Sequence, residues 1–330
     1  MFTPQGPTLR ELAVQGLSSI EHGYDLLAPK FDHTPFRTPD AILDAVGRAL
    51  APMGPFTAGL DLCCGTGAGM EILRELCRES VTGVDISTGM LTVGRERLDT
   101  DADGPSSLVR TREGGSPSSA EARDDGPQPV APARGGRSPS VAPAPGGRSE
   151  SVAPARGGTL PSVASVRGAG SPSVPRVRGD GGPSVAWVRG DARALPFGPA
   201  FDLVVSFGAF GHFLPRELPG LFAGVHAVLR PGGRFAFPIM APPRPTSPWY
   251  WALLGFDTVM RVRNAVRRPT FVMYYRAFRL GDVERELDRA GFRTELHALP
   301  EFGRRRDGSP RARMVVATRE DTSVRSSGAV

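Results

Sequence analysis

Lysine is almost missing: of 40 basic residues, only Lys30 is a lysine. Arginine used this uniformly reads as the base composition of the coding sequence rather than a functional choice. Cysteine is scarce as well. Cys63, Cys64 and Cys77 are odd in number and two are adjacent, which excludes a disulfide scaffold and makes a reducing cytoplasm the expected compartment. No apolar run approaches the roughly 18 residues of a membrane span, so no membrane partner is expected. Residues 1–16 lack a basic start followed by an apolar stretch, so no secretory signal is expected.

Glycine and proline, by contrast, are abundant, 41 and 33 of 330 residues. Residues 101–190 hold 16 of the glycines and 13 of the prolines. The reason is a repeat of period 11. Val130, Val141, Val152, Val163, Val174 and Val185 recur at that spacing, and Gly135, Gly146, Gly157, Gly168, Gly179 and Gly190 follow five residues after each. A helical supercoil is excluded because every unit carries Pro or Gly. Collagen is excluded because glycine is not every third residue. Residues 100–184 are therefore expected to be a disordered low-complexity insert. The last copy, from Ser184, runs into well-patterned sequence, which marks it as the folded seed of the others.

Outside the insert, strands alternate with amphipathic helices, the pattern of a parallel sheet covered on both faces. A strand over 58–62 leads into Cys63-Cys64-Gly65-Thr66-Gly67-Ala68-Gly69. The spacing of Met70, Ile72, Leu73, Leu76 and Cys77 predicts the following helix. A second strand over 81–84 ends at Asp85, 20 residues after Gly65. A glycine turn between strand and helix lets a cofactor approach the backbone, and an acid at the second strand end can hold ribose hydroxyls. A nicotinamide dehydrogenase shares that layout. Here the glycines read G-T-G-A-G and position 70 is Met, which departs from the dinucleotide fingerprint. Asp61, closing the first strand, repels a pyrophosphate and suits a cofactor with an ammonium group.

GLDLCCGTGAG (59–69) resembles the first motif of class I S-adenosylmethionine-dependent methyltransferases, and VTGVDIS (81–87) is similar to their second. GDARALPF (190–197) resembles the third and FDLVVSFGAFGHF (201–213) the fourth. LRPGGRFAF (229–237), 280–299 and 311–319 resemble the fifth strand, the closing helix and the last two strands. Such families separate the second- and third-motif acids by under 30 residues. Asp85 and Asp191 stand 106 apart, and removing seven 11-residue units leaves 29. The resemblance implies an α/β, Rossmann-like doubly wound sheet, mostly parallel with an antiparallel last strand. It implies one discontinuous domain, residues 1–99 and 185–319, with a helical, aromatic lid over 241–279 and a disordered tail over 320–330. The implied cofactor is S-adenosyl-L-methionine. Asp61, Cys63, Gly65, Thr66 and Gly67 would meet its methionine end, and Asp85 its ribose, with Ile86 against the adenine. Asp191 and Ala192 would meet the adenine amino group, Ser206 and Phe207 would lie near the transferred methyl, and Tyr24 would close over the cofactor. The double cysteine departs from the small residue or glycine usual there, but cysteine is small enough to keep the turn. Metal or redox chemistry is disfavoured for it.

Methyl transfer by in-line displacement needs mainly positioning, with a base if the nucleophile is a hydroxyl or carbon acid. His212, just after the fourth strand, is the candidate base, against packing or capping of the next helix. No Asn/Asp-Pro-Pro-Tyr follows that strand, and no metal-ligand spacing of Asp and Asn appears, so no metal is expected. The lid gathers Trp249, Tyr250, Trp251, Phe256, Phe271, Met273, Tyr274, Tyr275 and Phe278. One or two of these are expected to line a pocket for an apolar or aromatic small-molecule acceptor. Arg261, Arg263, Arg267 and Arg268 suit a carboxylate or phosphate, or equally a solvated face. Residues 241–330 carry 17 basic and 10 acidic side chains. That balance keeps open an RNA- or nucleic-acid-binding protein on the same fold, although nucleic acid is disfavoured as a partner. A nicotinamide oxidoreductase is the third reading. The methyl acceptor, the atom methylated and the oligomeric state stay open.

Overall fold

The computed structural model describes residues 5–34, 36–103, 181–274 and 278–320. Most of the expected insert, the tail beyond Glu320 and the lid residue Tyr275 lie outside them.

Seven strands form one sheet. In chain order they are β1 (Phe56–Leu62), β2 (Cys77–Asp85), β3 (Ser184–Arg189), β4 (Phe201–Val205), β5 (Leu229–Met240), β6 (Phe292–Ala298) and β7 (Ala312–Arg319). Their spatial order is β3-β2-β1-β4-β5-β7-β6. The first five run parallel, and β7 is antiparallel to both its neighbours. The helices are α1 (Leu9–Leu17), α2 (Ile20–Leu27), α3 (Asp40–Leu50), α4 (Ala68–Leu76), α5 (Thr88–Asp103), α6 (Leu218–Val228), α7 (Pro248–Val266) and α8 (Leu280–Arg289).

Alternation along the central strands divides the core in two. Val204, Phe235 and Phe237 face one layer with Phe222 and Val225 of α6 and Val283 and Leu287 of α8. Leu203, Val205 and Ala236 face the other, with Val46 and Leu50 of α3 and Met70 and Leu73 of α4. Each buried Leu or Phe contributes about 1.5–3 kcal/mol, so the two apolar layers fix the strand register. Asp202 pins the edge of this core. Its Oδ2 accepts from the backbone N–H of Thr57 at 3.0 Å and of Ala58 at 2.9 Å, and Arg230 Nη1 donates to it at 3.0 Å. Burial alone would raise its carboxyl, but these donors outweigh that and hold it below the ordinary range.

Three expected boundaries shift. Cys77 opens β2 rather than closing α4, because it pairs with Phe56 of β1. β4 ends at Val205, so Ser206 and Phe207 follow the strand, ahead of Gly208, whose φ is +75°. α5 continues to Asp103, past the expected break at 99, and β3 begins at Ser184. The folded copy of the repeat is thus an edge strand, with Val185 beside Val81.

Candidate active site

The strand order reverses between β1 and β4, and a crevice opens at the carboxyl ends of the strands there, where α/β sheets bind ligands. A cavity occupies it. Of the expected site residues, Tyr24, Asp61, Cys63, Gly65, Thr66, Asp85, Ile86, Asp191, Ala192, Phe207 and His212 line it. Gly67 and Ser206 do not. Ser206 is buried, its hydroxyl donating to the Leu62 carbonyl at 2.9 Å, so it ties β4 to β1. Gly67 caps α4 at φ +86°, and a Cβ there would stand 2.5 Å from the Trp187 ring. The role of Gly67 is therefore to hold the turn beneath the site.

Asp61 is the most unusual group. It is 1% exposed, and its Oδ2 has no hydrogen-bond partner. Burial, then the charge of Asp85, hold its carboxyl well above the ordinary range. The chain makes room for it: a Cβ on Gly69 would lie 2.5 Å from that same oxygen. Asp85, at the end of β2, accepts from Gly65 N and Ser87 N, each at 2.9 Å. Burial raises it too, against those two donors. Asp191 differs. Burial would raise it, but Arg193, with its backbone N–H at 2.9 Å and Nη2 at 2.7 Å, brings it below the ordinary range. Cys63 and Cys64 are pushed up by burial and then by Asp85 and Asp61, so both thiols stay protonated. Among the described residues, no three of His, Cys, Asp and Glu are placed to share a metal ion.

His212 sits at the other end. Its Nδ1 lies 2.7 Å from the Val272 carbonyl, which can only accept, so Nδ1 carries the proton. Nε2 is then a lone pair, and the Tyr24 hydroxyl donates to it at 2.8 Å. Burial lowers the imidazole's affinity for a second proton. The lid reaches the site through this pair and Ile20: Phe271 stacks on Tyr24 at 6.4 Å and meets His212 edge-on, and Ile20 packs in the same cluster. No described residue of 241–279 lines the cavity, contrary to the expectation that lid aromatics would form it.

The profile of a methyltransferase-domain family matches residues 60–113 and 173–233, breaking off across the repeat. These residues carry a methyltransferase domain. No curated sequence relative matches it. Among solved structures, a putative O-methyltransferase from Nostoc punctiforme is similar in fold, with a TM-score of 0.50 at 15% identity, covering 94% of this chain and 67% of that one. The magnesium protoporphyrin IX methyltransferase of Synechocystis, solved with bound S-adenosylhomocysteine, superposes at 0.43 and 15% identity over 84% and 81%. The YcgJ protein of Bacillus subtilis does so at 0.46 and 13% over 86% and 100%.

In this methyltransferase, the 28–38 segment supplies cavity residues that the sequence reading missed: Phe31, Phe36, Arg37 and Thr38. Met90 and Arg193 were missed as well. Part of the signal lies in the stretch Tyr24–Asp32, YDLLAPKFD, whose two acids flank Phe31. Asp25 accepts from Ser87 Oγ at 2.6 Å and Gly89 N at 2.9 Å, and Asp32 accepts from Thr66 Oγ1 at 2.6 Å. These two acids fasten the N-terminal helices over the glycine turn.

Proposed function

We propose that the enzyme methylates a small-molecule acceptor, binding S-adenosyl-L-methionine along the ends of β1, β2 and β3. The observation that carries this reading is Asp61. A buried carboxylate oxygen without a partner is costly, and Asp61 lines the cavity beside the glycine turn, where an ammonium group would satisfy it. A pyrophosphate there would be repelled, which disfavours a nicotinamide cofactor. The residues fit the rest of the cofactor as well. Asp85 keeps a lone pair free beyond its backbone donors and would hold the ribose hydroxyls, with Ile86 beside the adenine. Asp191, oriented by Arg193, would accept from the adenine amino group next to Ala192. Tyr24 would cover the cofactor, and Phe207 would lie beside the reacting centre. When bound, the cofactor supplies an electrophilic methyl group.

What remains for the chain is positioning and proton handling. His212 would take the acceptor's proton at Nε2 once the acceptor's hydroxyl takes the place of the Tyr24 hydroxyl there, with Nδ1–H anchored on Val272 so that the ring cannot turn. Tyr24, which donates to Nε2 until the acceptor displaces it, is the positioning residue. Phe31, Phe36 and Phe213 add apolar wall to the cavity, which favours an apolar or aromatic acceptor. Residues 1–99 and 185–319 are read as one catalytic domain, interrupted by the repeat. Titration with S-adenosylhomocysteine and, separately, with NADH tests the reading. Saturable binding of S-adenosylhomocysteine alone is expected, weakened in Asp85→Ala. Binding of NADH alone overturns it.

A further inference from the structure

Of the twelve large apolar side chains left exposed among the described residues, ten lie on α1, α2 and α7. Met260 of α7 shares a cluster with Ile20 and Tyr24 of α2, and Arg263 Nη2 donates to the Ser18 carbonyl at the end of α1 at 3.3 Å. The outward stripe of α7 is the clearest case. Trp251, Val259, Val262 and Val266 are 61%, 64%, 60% and 83% exposed. At 100° per residue they fall with Gly255 within one quadrant of the helix. The Trp251 ring is not turned outward for want of a polar partner, since its Nε1 donates to the Pro245 carbonyl at 2.9 Å. The inner face of the same helix carries Met260, Asn264 and the only acid, Asp257, which is buried. On α1, Leu9, Val14 and Leu17 are likewise exposed, with Arg10 among them.

Charge decides what covers this face. From 258 to 281 the sequence has six arginines, Arg261, Arg263, Arg267, Arg268, Arg276 and Arg279, and no acid. Arg267 and Arg268, at the C-terminal end of α7, are exposed. Arg261 lies over the Tyr274 ring at 4.7 Å. An uncharged stripe with tryptophan, bordered by cations, is the arrangement of a helix lying in the surface of an anionic bilayer. A second copy of α7 offers those arginines no acid. We propose that α7, with α1, docks the enzyme on an anionic membrane surface without crossing it; no helix among the described residues is long and apolar enough to span one. The proposal concerns the surface alone and stands apart from the acceptor reading.

The full chain should co-sediment with vesicles of phosphatidylcholine mixed with phosphatidylglycerol, weakly with phosphatidylcholine alone, and less as salt rises. Tryptophan emission should shift to the blue, because two of the three tryptophans are on α7. Val259→Ser with Val262→Ser should lower partitioning by about tenfold or more while thermal unfolding and S-adenosylhomocysteine binding hold. Arg267→Glu with Arg268→Glu should remove the preference for phosphatidylglycerol. Equal and weak sedimentation with both vesicles overturns the proposal, as does undiminished binding by the serine variant. A wild-type dimer that the serine variant converts to monomer assigns the face to a second copy instead and equally overturns it.

Discussion

Asp61→Asn separates binding from stability in opposite directions. In the folded chain without a cation beside it, Asp61 holds its proton well above the ordinary value of 3.8. The unfolded chain releases that proton near 3.8. The group therefore costs nothing below that pH, and its penalty grows as pH rises, reaching full size at the folded-state value. Asparagine carries no charge to bury, so the variant should unfold at a higher temperature than wild type near neutral pH. Cofactor binding should move the other way. A hydrogen bond from an ammonium to a carboxylate contributes about 1.5–3 kcal/mol, which is about a 10- to 150-fold loss of affinity for S-adenosylhomocysteine. Titration calorimetry in two buffers of different ionisation heat adds a third reading: wild type should release a proton on binding, and the variant should not. Affinity in wild type should fall as the pH is lowered through the raised value. Unchanged affinity in the variant together with a lower unfolding temperature refutes the assignment.

His212→Gln should reduce kcat by about 100-fold or more for a hydroxyl acceptor, and wild-type kcat should stay flat through neutral pH, falling only below the ordinary histidine range. Tyr24→Phe removes the donor to Nε2 and should move that pH profile while leaving the unfolding temperature near wild type; an unshifted profile removes Tyr24 from the positioning role. Asp202→Ala leaves the N–H groups of Thr57 and Ala58 unsatisfied and should cost about 2 kcal/mol or more in denaturant unfolding. Because the folded-state value of Asp202 is depressed, the gap to wild type should be full above about pH 4 and close as the pH falls through that value. Deleting residues 107–183 keeps Ser184, whose hydroxyl donates to the Glu79 carbonyl at 3.1 Å. The shortened chain should still unfold cooperatively and bind S-adenosylhomocysteine, and loss of either would make the insert structural.

The elements that sequence patterning identified best are those whose burial is simplest. β1 is buried along almost its whole length and β2 over residues 81–84, and the turn after β1 announces itself by glycine and by the acids at 61 and 85. Their ends were less legible, because pairing decides them: Cys77 has a helical spacing from Leu73 but a strand partner in Phe56. Residues 28–38 gave no periodicity to read, since Pro29 and Pro35 break it and the segment is held by Asp25 and Asp32 contacting residues far along the chain. Ser206 shows the opposite failure. Its place in the motif pointed to the cavity, yet a buried hydroxyl needs an acceptor, and the Leu62 carbonyl was nearer.

The edge position of β3 bears on how the chain avoids misthreading. Upstream copies such as Val174–Gly179 and Val163–Gly168 resemble the strand Val185–Gly190 closely enough to compete for the same edge of β2, one period out of register. At the position of Trp187 those copies carry Arg176 and Ser165. Trp187 alone fills the space over Gly67 and Gly94, where added Cβ atoms would meet its ring at 2.5 and 2.7 Å. Neither Ser165 nor Arg176 can fill that hollow, so slipped pairings forfeit the contact. One indole thus acts as a key that tells the chain which of its near-identical segments belongs in the sheet.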